Sequence, residues 1–443
     1  MAKKIAFIGA GSVTFTRNLT RDILTFPAFQ DCEIALMDIK QENLDYAKKA
    51  VDRIVSAGNY PARVTATLRL EEALEGADGV LSTIQTGDDE GPYLDMSVPK
   101  EYGISINIGD TRGPSAIFRF LRTLPAIQEI VHGIEKYCPD ATFLNYTNPM
   151  AMLCRAVQGT SKVRTSGLCH SVQHTSEMLA RWIGADIQDI TYVCAGINHQ
   201  AHYLKFQWKG KDAYPLIYKA VTERPEIYNE EQVRNEMYLN LGYYVTESSG
   251  HASEYNAWFR KRPDLIEKYC TNGTGWNPGH DWIDNFKGIG SRDVRRREEF
   301  DKFIASEIDL SRGTEYAAYI FNAIFGDNTL FEFNGNVRNF GLIDNLPAGC
   351  CVEVPVLASK GGLEPIHVGA LPPQLAILNA QNAACEELAV EAALEGDPMK
   401  VYHACLYDPL TSAMLSMAEI REMVNKMFET QKHWLPQFKV HKV

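Results

Sequence analysis

The sequence predicts an α/β fold: a parallel, doubly wound sheet in the first part of the chain, with an α+β part packed closely against it. Two observations carry that expectation. Strand-sized apolar runs alternate with helically spaced segments through the first third of the 443 residues. Beyond about Thr191 the alternation gives way to extended, partly antiparallel patterns mixed with long helices. The expected division is residues 1–190 and 191–443, with neither an internal repeat nor a low-complexity linker between them.

The elements follow in order. "KIAFIGA" is a buried strand, "TRNLTRDILTFP" a helix ending near Pro27, and "CEIALMDI" a second strand. "QENLDYAKKAVDRIVSAG" has the spacing of an amphipathic helix closed by Gly58, and "RVTATL", the short helix "EEALEGA" and the strand "GVLSTIQTG" come next. "SAIFRFLRTLPAIQEIVHGIEKYCP" reads as a long helical stretch interrupted at Pro125, followed by the strand "ATFLNYTNP". In the second part, "DITYVCAGINHQAHYLKFQWKGKDAYPLIY" reads as extended, and Glu230 to Ser311 as helical with aromatic and glycine-rich breaks. The strand "CCVEVPVLAS" precedes a long helix, "LPPQLAILNAQNAACEELAVEAAL".

Composition excludes several classes. A net charge of -12 and a pI near 5.5 argue against a nucleic-acid binder, which shows a basic footprint. The longest apolar runs are strand-sized, so no membrane association is expected, and the chain enters a strand without an apolar signal region. A cytoplasmic location is therefore expected. Ten cysteines are too sparse for a disulfide scaffold at this length and read mostly as small buried hydrophobes, the Cys350–Cys351 pair among them.

Three stretches carry chemistry. In Gly9-Ala10-Gly11-Ser12 the first glycine permits a tight turn, and the second lets the backbone approach a pyrophosphate at the next helix N-terminus. Thr14 occupies the third glycine position of the full fingerprint, but Asp38 ends the second strand, where a carboxylate meets ribose hydroxyls and repels a 2'-phosphate. Strand, turn, helix, strand and acid in that order point to NAD on a Rossmann-type sheet, of the lactate and malate dehydrogenase kind. Gln85, after the fourth strand, joins Gly9, Gly11, Ser12 and Asp38 in the expected cofactor set. Asn148 in "LNYTNPM" ends another strand, placed to hold sugar hydroxyls or the nicotinamide, although Asn-Pro is also ordinary turn chemistry.

Cys169 and His170 in "SGLCHSV", with His199 in "AGINH", offer a thiolate and imidazoles from two segments. They fit a borderline divalent ion with open positions, or equally a buried cysteine with hydrogen-bonded histidines. "TESSGHASEYNAWF" gathers Glu247, His251, Glu254 and Tyr255, among which a carboxylate or tyrosine could serve as a base.

Taken together, the glycine turn, "NYTNPM", "CHSV", "INH" and "GLIDNLPAGCCVEVP" resemble glycoside hydrolase family 4 over essentially the whole chain. "CHSV" with "TESSGHASEY" is similar to the α-galactosidase branch. The resemblance implies an NAD- and metal-dependent glycosidase, outside the two-carboxylate mechanism. Its expected chemistry is transient oxidation at C3, loss of the C2 proton, elimination of the leaving group, addition of water and return of the hydride. Residue by residue, it implies Cys169 and His199 as ligands of Mn2+ or another divalent metal. It further implies Asn148, His170 and His251 at the substrate, His170 as the acid, and Glu247 or Tyr255 as the base. His174 departs from the glycine of this branch, a difference that bears on fine substrate preference; "TGDDEGPY" lacks the arginine of phospho-sugar members, so an unphosphorylated α-galactoside is the expected substrate. A homodimer or homotetramer is expected.

Competing readings are an α-glucosidase or α-galacturonidase of the same family, a 2-hydroxy-acid dehydrogenase, and a non-catalytic NAD or sugar sensor. No histidine-aspartate relay with substrate-carboxylate arginines surrounds His199 in the sequence, and a sensor has no need of a thiolate-imidazole pair.

Overall fold

The computed structural model describes residues 2–273, 276–287 and 291–443. Six parallel strands open the chain: β1 (Lys4–Ile8), β2 (Glu33–Met37), β3 (Arg63–Thr67), β4 (Gly79–Ser82), β5 (Thr142–Asn145) and β6 (Arg164–Gly167). β7 (Ile190–Ala195), β8 (His202–Trp208) and β9 (Lys211–Asp212) form a separate antiparallel sheet. β10 (Phe331–Arg338), β11 (Cys351–Ser359) and β12 (Gly362–Pro365) then return to the first sheet and extend it antiparallel.

The large sheet therefore runs β12-β11-β10-β6-β5-β4-β1-β2-β3. The two parts of the chain share one sheet across β6 and β10, where Asn336 pairs with Gly167. β1 and β4 are neighbours although two strands separate them in sequence. The chain thus reverses its direction of winding at β1, and a crevice opens outside the carboxyl ends of these strands.

β1, β4 and β5 are almost wholly buried, which explains their continuous apolar runs. One core lies between the sheet and the helices Gly113–Tyr137, Met150–Thr160 and Met417–Gln431, including Phe118, Phe143 and Phe428. The other includes Phe7, Leu36, Phe321 and Val354, under the helices Val13–Leu24, Gln41–Ala57 and Tyr316–Phe325. Helices on both faces are the physical meaning of double winding.

Two local readings need correction. The helix Gly113–Tyr137 runs through Pro125 without a break. Proline removes the N–H that would reach the carbonyl four residues back, and here the Gln437 side chain donates to Leu121 O at 2.7 Å instead. The segment "AYPLIY", read as extended, contributes to the helix Tyr214–Glu223, with proline in its first turn.

Candidate active site

The crevice beyond β1 and β4 is a cavity of about 1310 Å³ that passes from the glycine turn to the cysteine-histidine cluster. At its first end Gly9 and Ala10 donate to Met37 O at 3.0 and 2.9 Å, which folds the turn over the end of β2. Gly9 has φ +85°, and a side chain there would press on the backbone of Thr83 and Ile84 at 3.0 Å. Gly11 N–H donates to Asp38 Oδ2 at 2.8 Å, and Lys40 N–H to Asp38 Oδ1 at 2.9 Å. Asp38 thereby ties the turn to β2 while still lining the cavity. The helix Val13–Leu24 begins beside it with no side-chain cap at Ser12, so its first-turn N–H groups suit an anionic ligand. Gln85, Asn148 and the apolar, exposed Ile39 complete this end, all on the cavity wall. Among the described residues Asn148 Oδ1, a buried acceptor, has no hydrogen-bond partner.

At the other end, five chain segments converge. Cys169 follows β6 and faces His199, with Sγ 3.2 Å from Nε2. Glu247 Oε2 lies 3.4 Å from the same nitrogen. Ligand atoms of Cys169, His199 and Glu247 all fall within 4.8 Å of one another. Bond lengths of about 2.0–2.3 Å to one ion put neighbouring ligands roughly 3.3–3.7 Å apart in a tetrahedron, so this spacing fits a divalent metal. Sulfur, nitrogen and oxygen donors together suit a borderline ion.

The turn that carries His199 is clamped. Gly196 exchanges backbone hydrogen bonds with Glu353 on β11, at 3.1 and 2.8 Å. Ile197 N–H donates to Asn379 Oδ1 at 2.9 Å, and Arg112 donates to Asn198 O at 2.7 Å. His199 and Glu247 both adopt left-handed backbone, φ 61° and 69°, a conformation that such residues hold only where surroundings enforce it.

Behind the His199 ring, Nδ1 meets Thr111 Oγ1 at 2.8 Å and Tyr255 OH at 3.2 Å. Thr111 O–H donates in turn to Asp110 Oδ1 at 2.7 Å. That chain holds the imidazole proton on Nδ1 and leaves Nε2 free to bind an ion. Tyr255 is 1 % exposed, sits under the Arg112 guanidinium and does not line the cavity, whereas Glu247 does. Glu254, the other acid of that segment, accepts from the backbone of Asn107, Ile108 and Gly109 and holds the loop that carries Asp110.

Charge is finely partitioned. His251 lies between two carboxylates, 3.4 Å from Asp110 and 3.3 Å from Glu247. Burial disfavours its charged form, but those two acids outweigh burial and lift the imidazole to about 9. The same burial would raise both acids; His251 and His199 instead hold Glu247 below its usual range, and His251, Arg119 and His199 hold Asp110 far below. His199, dominated by burial, falls to about 4 and is a neutral ligand at ordinary pH. Burial and the nearby Glu247 push the Cys169 thiol up, and a bound cation would reverse that preference. His170 is hydrogen-bonded to Glu315 at 2.8 Å. Burial pulls its pKa down, and the Glu315 bond and charge more than compensate.

The structure thus brings together Asn148, Cys169, His170, His199, Glu247 and His251 as cavity-lining residues and sets Tyr255 behind them. Asp110, Thr111, Arg119 and Glu315 were missed. "GDTRGP", an acid just before a helix-starting Gly-Pro, was the available signal for the first two. Nothing local marks Glu315, which reaches His170 from 145 residues away.

Residues 4–185 match the model of the family 4 glycosyl hydrolases, and residues 194–411 match the family 4 glycosyl hydrolase C-terminal domain. An alpha-galactosidase of Bacillus subtilis is 37% identical over 442 residues, covering 99% of this chain and 100% of its own. An alpha-galactosidase of Rhizobium meliloti is 36% identical, over 98% of this chain and 89% of its own. Among solved structures, a 6-phospho-alpha-glucosidase from gut microorganisms, in complex with NAD and Mn2+, superposes with a TM-score of 0.82 at 22% identity. It covers 99% of this chain and 100% of its own. With both parts of the sequence matched, and relatives spanning its length, the chain belongs to the family 4 glycosyl hydrolases.

Proposed function

We propose that this enzyme is an α-galactosidase acting on unphosphorylated α-galactosides, with NAD at the glycine-turn end of the cavity and Mn2+ at Cys169 and His199. The observation that carries the proposal is one continuous cavity joining an uncapped helix N-terminus and Asp38 to a thiol-imidazole-carboxylate cluster. The two full-length relatives named as α-galactosidases support the sugar.

Charge supports a neutral substrate. Around the cluster, Arg119 faces Asp110, Arg234 is bonded to Glu231, and Arg181 to Glu230. An anionic group on the substrate would enter a cavity where these arginines are already paired with acids.

When bound, the dinucleotide and metal supply a hydride acceptor and a Lewis acid, which make the C2 hydrogen of a C3-oxidised sugar acidic. The chain supplies the rest. With Cys169 and His199 as the residues that would hold the ion, Glu247, ionised and facing the cavity, takes the C2 proton; Tyr255 orients His199 from behind. His170, whose pKa the Glu315 bond and charge raise, donates its own ring proton to the departing glycosidic oxygen. Asn148 Oδ1, the unpartnered acceptor, receives a sugar or nicotinamide donor.

The test is hydrolysis of a panel of aryl α-glycosides with NAD+ and Mn2+ in D2O. The galactoside should be the preferred substrate and should yield galactose deuterated at C2, because a displacement mechanism leaves C2 untouched. Galactose without deuterium, formed at full rate by NAD-free protein, would overturn the proposal.

A further inference from the structure

The helix Val13–Leu24 reaches the reaction end of the cavity as well as the cofactor end. Its first turn lines the cavity beside the glycine turn, and Phe15 in that turn packs against the His170 ring, 5.8 Å between centres. Two turns further along the same face stands Asp22. Its carboxylate is wholly buried, and burying a charged acid costs free energy unless the acid is paired and hydrogen-bonded. Arg21 balances the charge, donating through Nε to Oδ1 at 2.8 Å. The other acceptor sites go to one loop: Gly313 N–H donates to Oδ1 at 2.8 Å and Glu315 N–H to Oδ2 at 3.4 Å.

That loop carries the partner of the acid. Glu315 meets His170 Nε2 at 2.8 Å, so Nδ1 is the ring nitrogen left for the glycosidic oxygen. Further contacts fasten the loop to the same helix end. Arg312 donates to Thr25 Oγ1 and O at 2.7 and 3.0 Å, and its guanidinium lies 3.6 Å from the centre of the Phe26 ring. From the other side Gln173 donates to Thr314 O at 2.6 Å, and Tyr319 O–H to Gly313 O at 3.1 Å. Gly313 has no room for a side chain, because a Cβ there would stand 2.8 Å from Asp22 Oδ2.

We propose that Asp22 is a positioning residue for proton transfer to the leaving group: from the helix that begins at the cofactor turn, it fixes the backbone of 313–315 so that Glu315 orients the His170 ring. The inference rests on the reading above, in which His170 is the acid. One face of a single helix then holds that acid twice, its ring through Phe15 and its partner through Asp22. A general acid works only within hydrogen-bond reach of the atom it protonates. An error in ring orientation therefore shows first where the leaving group most needs its proton.

The experiment measures kcat for two α-galactosides, with dinitrophenyl and phenyl leaving groups, in wild type, Asp22→Asn and Gly313→Ala. Dinitrophenolate is a stable anion that departs unprotonated, whereas phenol needs the proton. Asp22→Asn keeps the shape of the side chain and removes the charge and one acceptor; Gly313→Ala pushes the loop away from the same carboxylate. Each variant should lower kcat for the phenyl galactoside roughly 10- to 100-fold, the effect of a misplaced catalytic group, and leave the dinitrophenyl galactoside within about twofold of wild type. The Kd for NAD, by fluorescence titration, should keep its wild-type value, since Asp22 lies roughly 14 Å along the helix from Val13 at 1.5 Å per residue. An equal loss for both substrates would make Asp22 a support of the fold alone, and unchanged values for both would show that Glu315 needs no such anchor; either result overturns the proposal. Should Asp22→Asn not fold, Gly313→Ala decides by itself, on a loop where Arg312 and Thr314 are exposed. Failure of wild type to cleave both galactosides would instead overturn the galactosidase reading, and the role of Asp22 with it.

Discussion

The two ends of the cavity are built by different means. The proposed cofactor end comes mainly from residues 5–40, where two strands, a turn and a helix set backbone groups along the cavity, with Asp38 as the main side chain and Gln85 and Asn148 completing the wall. The reaction end takes single side chains from five separate segments, at residues 110–119, 148, 169–170, 199 and 247–255. Its properties lie in charge: a cationic His251 between two carboxylates and a neutral His199 at 5.0 Å from it, ring centre to ring centre. A backbone-built site tolerates changes that keep the turn. A side-chain-built site depends on each contributor and on what lies behind it.

The sharpest test of that contrast is to delete a ligand at the reaction end. Cys169→Ser and His199→Ala should each lower kcat by at least roughly 10³-fold, since metal polarisation is worth several kcal/mol and each 1.36 kcal/mol is tenfold. NAD affinity, measured by fluorescence titration, should stay close to wild type. A joint loss of NAD binding would show that the two ends are not independent.

A methyl group at Gly11 probes the other end. A Cβ there would stand 2.6 Å from Asp38 Oδ2, so Gly11→Ala must displace the carboxylate that ties the turn to β2. Overpacking of about 1–3 kcal/mol translates to a rise of roughly 5- to 150-fold in the Kd for NAD. Mn2+ affinity, read by electron paramagnetic resonance, should be unaffected. Replacing Asp38 by a neutral residue should narrow the preference for NAD over NADP.

Tyr255→Phe separates ligand from support. Removing the hydroxyl behind His199 should weaken Mn2+ binding about tenfold, the lower part of the range for outer-shell partners of a ligating histidine. A loss of kcat with unchanged Mn2+ affinity would instead make Tyr255 the base. The experiment thus sharpens the division between the group facing the cavity and the group behind it.

The smallest expected effect is on stability. His251 is raised in the folded protein to about 9, so it contributes stability that is fully present below its unfolded pKa of about 6.5. That contribution is lost as pH rises through about 9. His199, depressed to about 4, acts in the opposite sense and makes the fold less stable as pH falls from about 6.5 toward 4. In metal-free protein, His251→Gln should remove on the order of 1 kcal/mol of the decline between pH 6.5 and 9, measured by thermal unfolding. An unchanged pH slope would show that His251 is not charged between Asp110 and Glu247.

The sequence by itself determined the doubly wound class of the sheet, the glycine turn, Asp38 and the candidates Cys169, His170 and His199, because each is written locally. Period-two and helical spacing mark the elements, Gly9 and Gly11 mark a close backbone approach, and the cysteine and histidines are rare reactive types next to strand ends. Tertiary structure decided what those residues do together. Only the fold places β10 beside β6, so that β11 can anchor the His199 turn through Glu353, and only the fold carries Gln437 to the orphaned Leu121 carbonyl at Pro125. Only packing sets Tyr255 behind His199 and Glu247 before it, eight residues apart on one short stretch, because burial and hydrogen bonding depend on neighbours from elsewhere in the chain. Charge behaves the same way: no spacing in the sequence shows that Glu247 and Asp110 will both lie against His251, and those two acids lift His251 while burial keeps its neighbour His199 a neutral ligand.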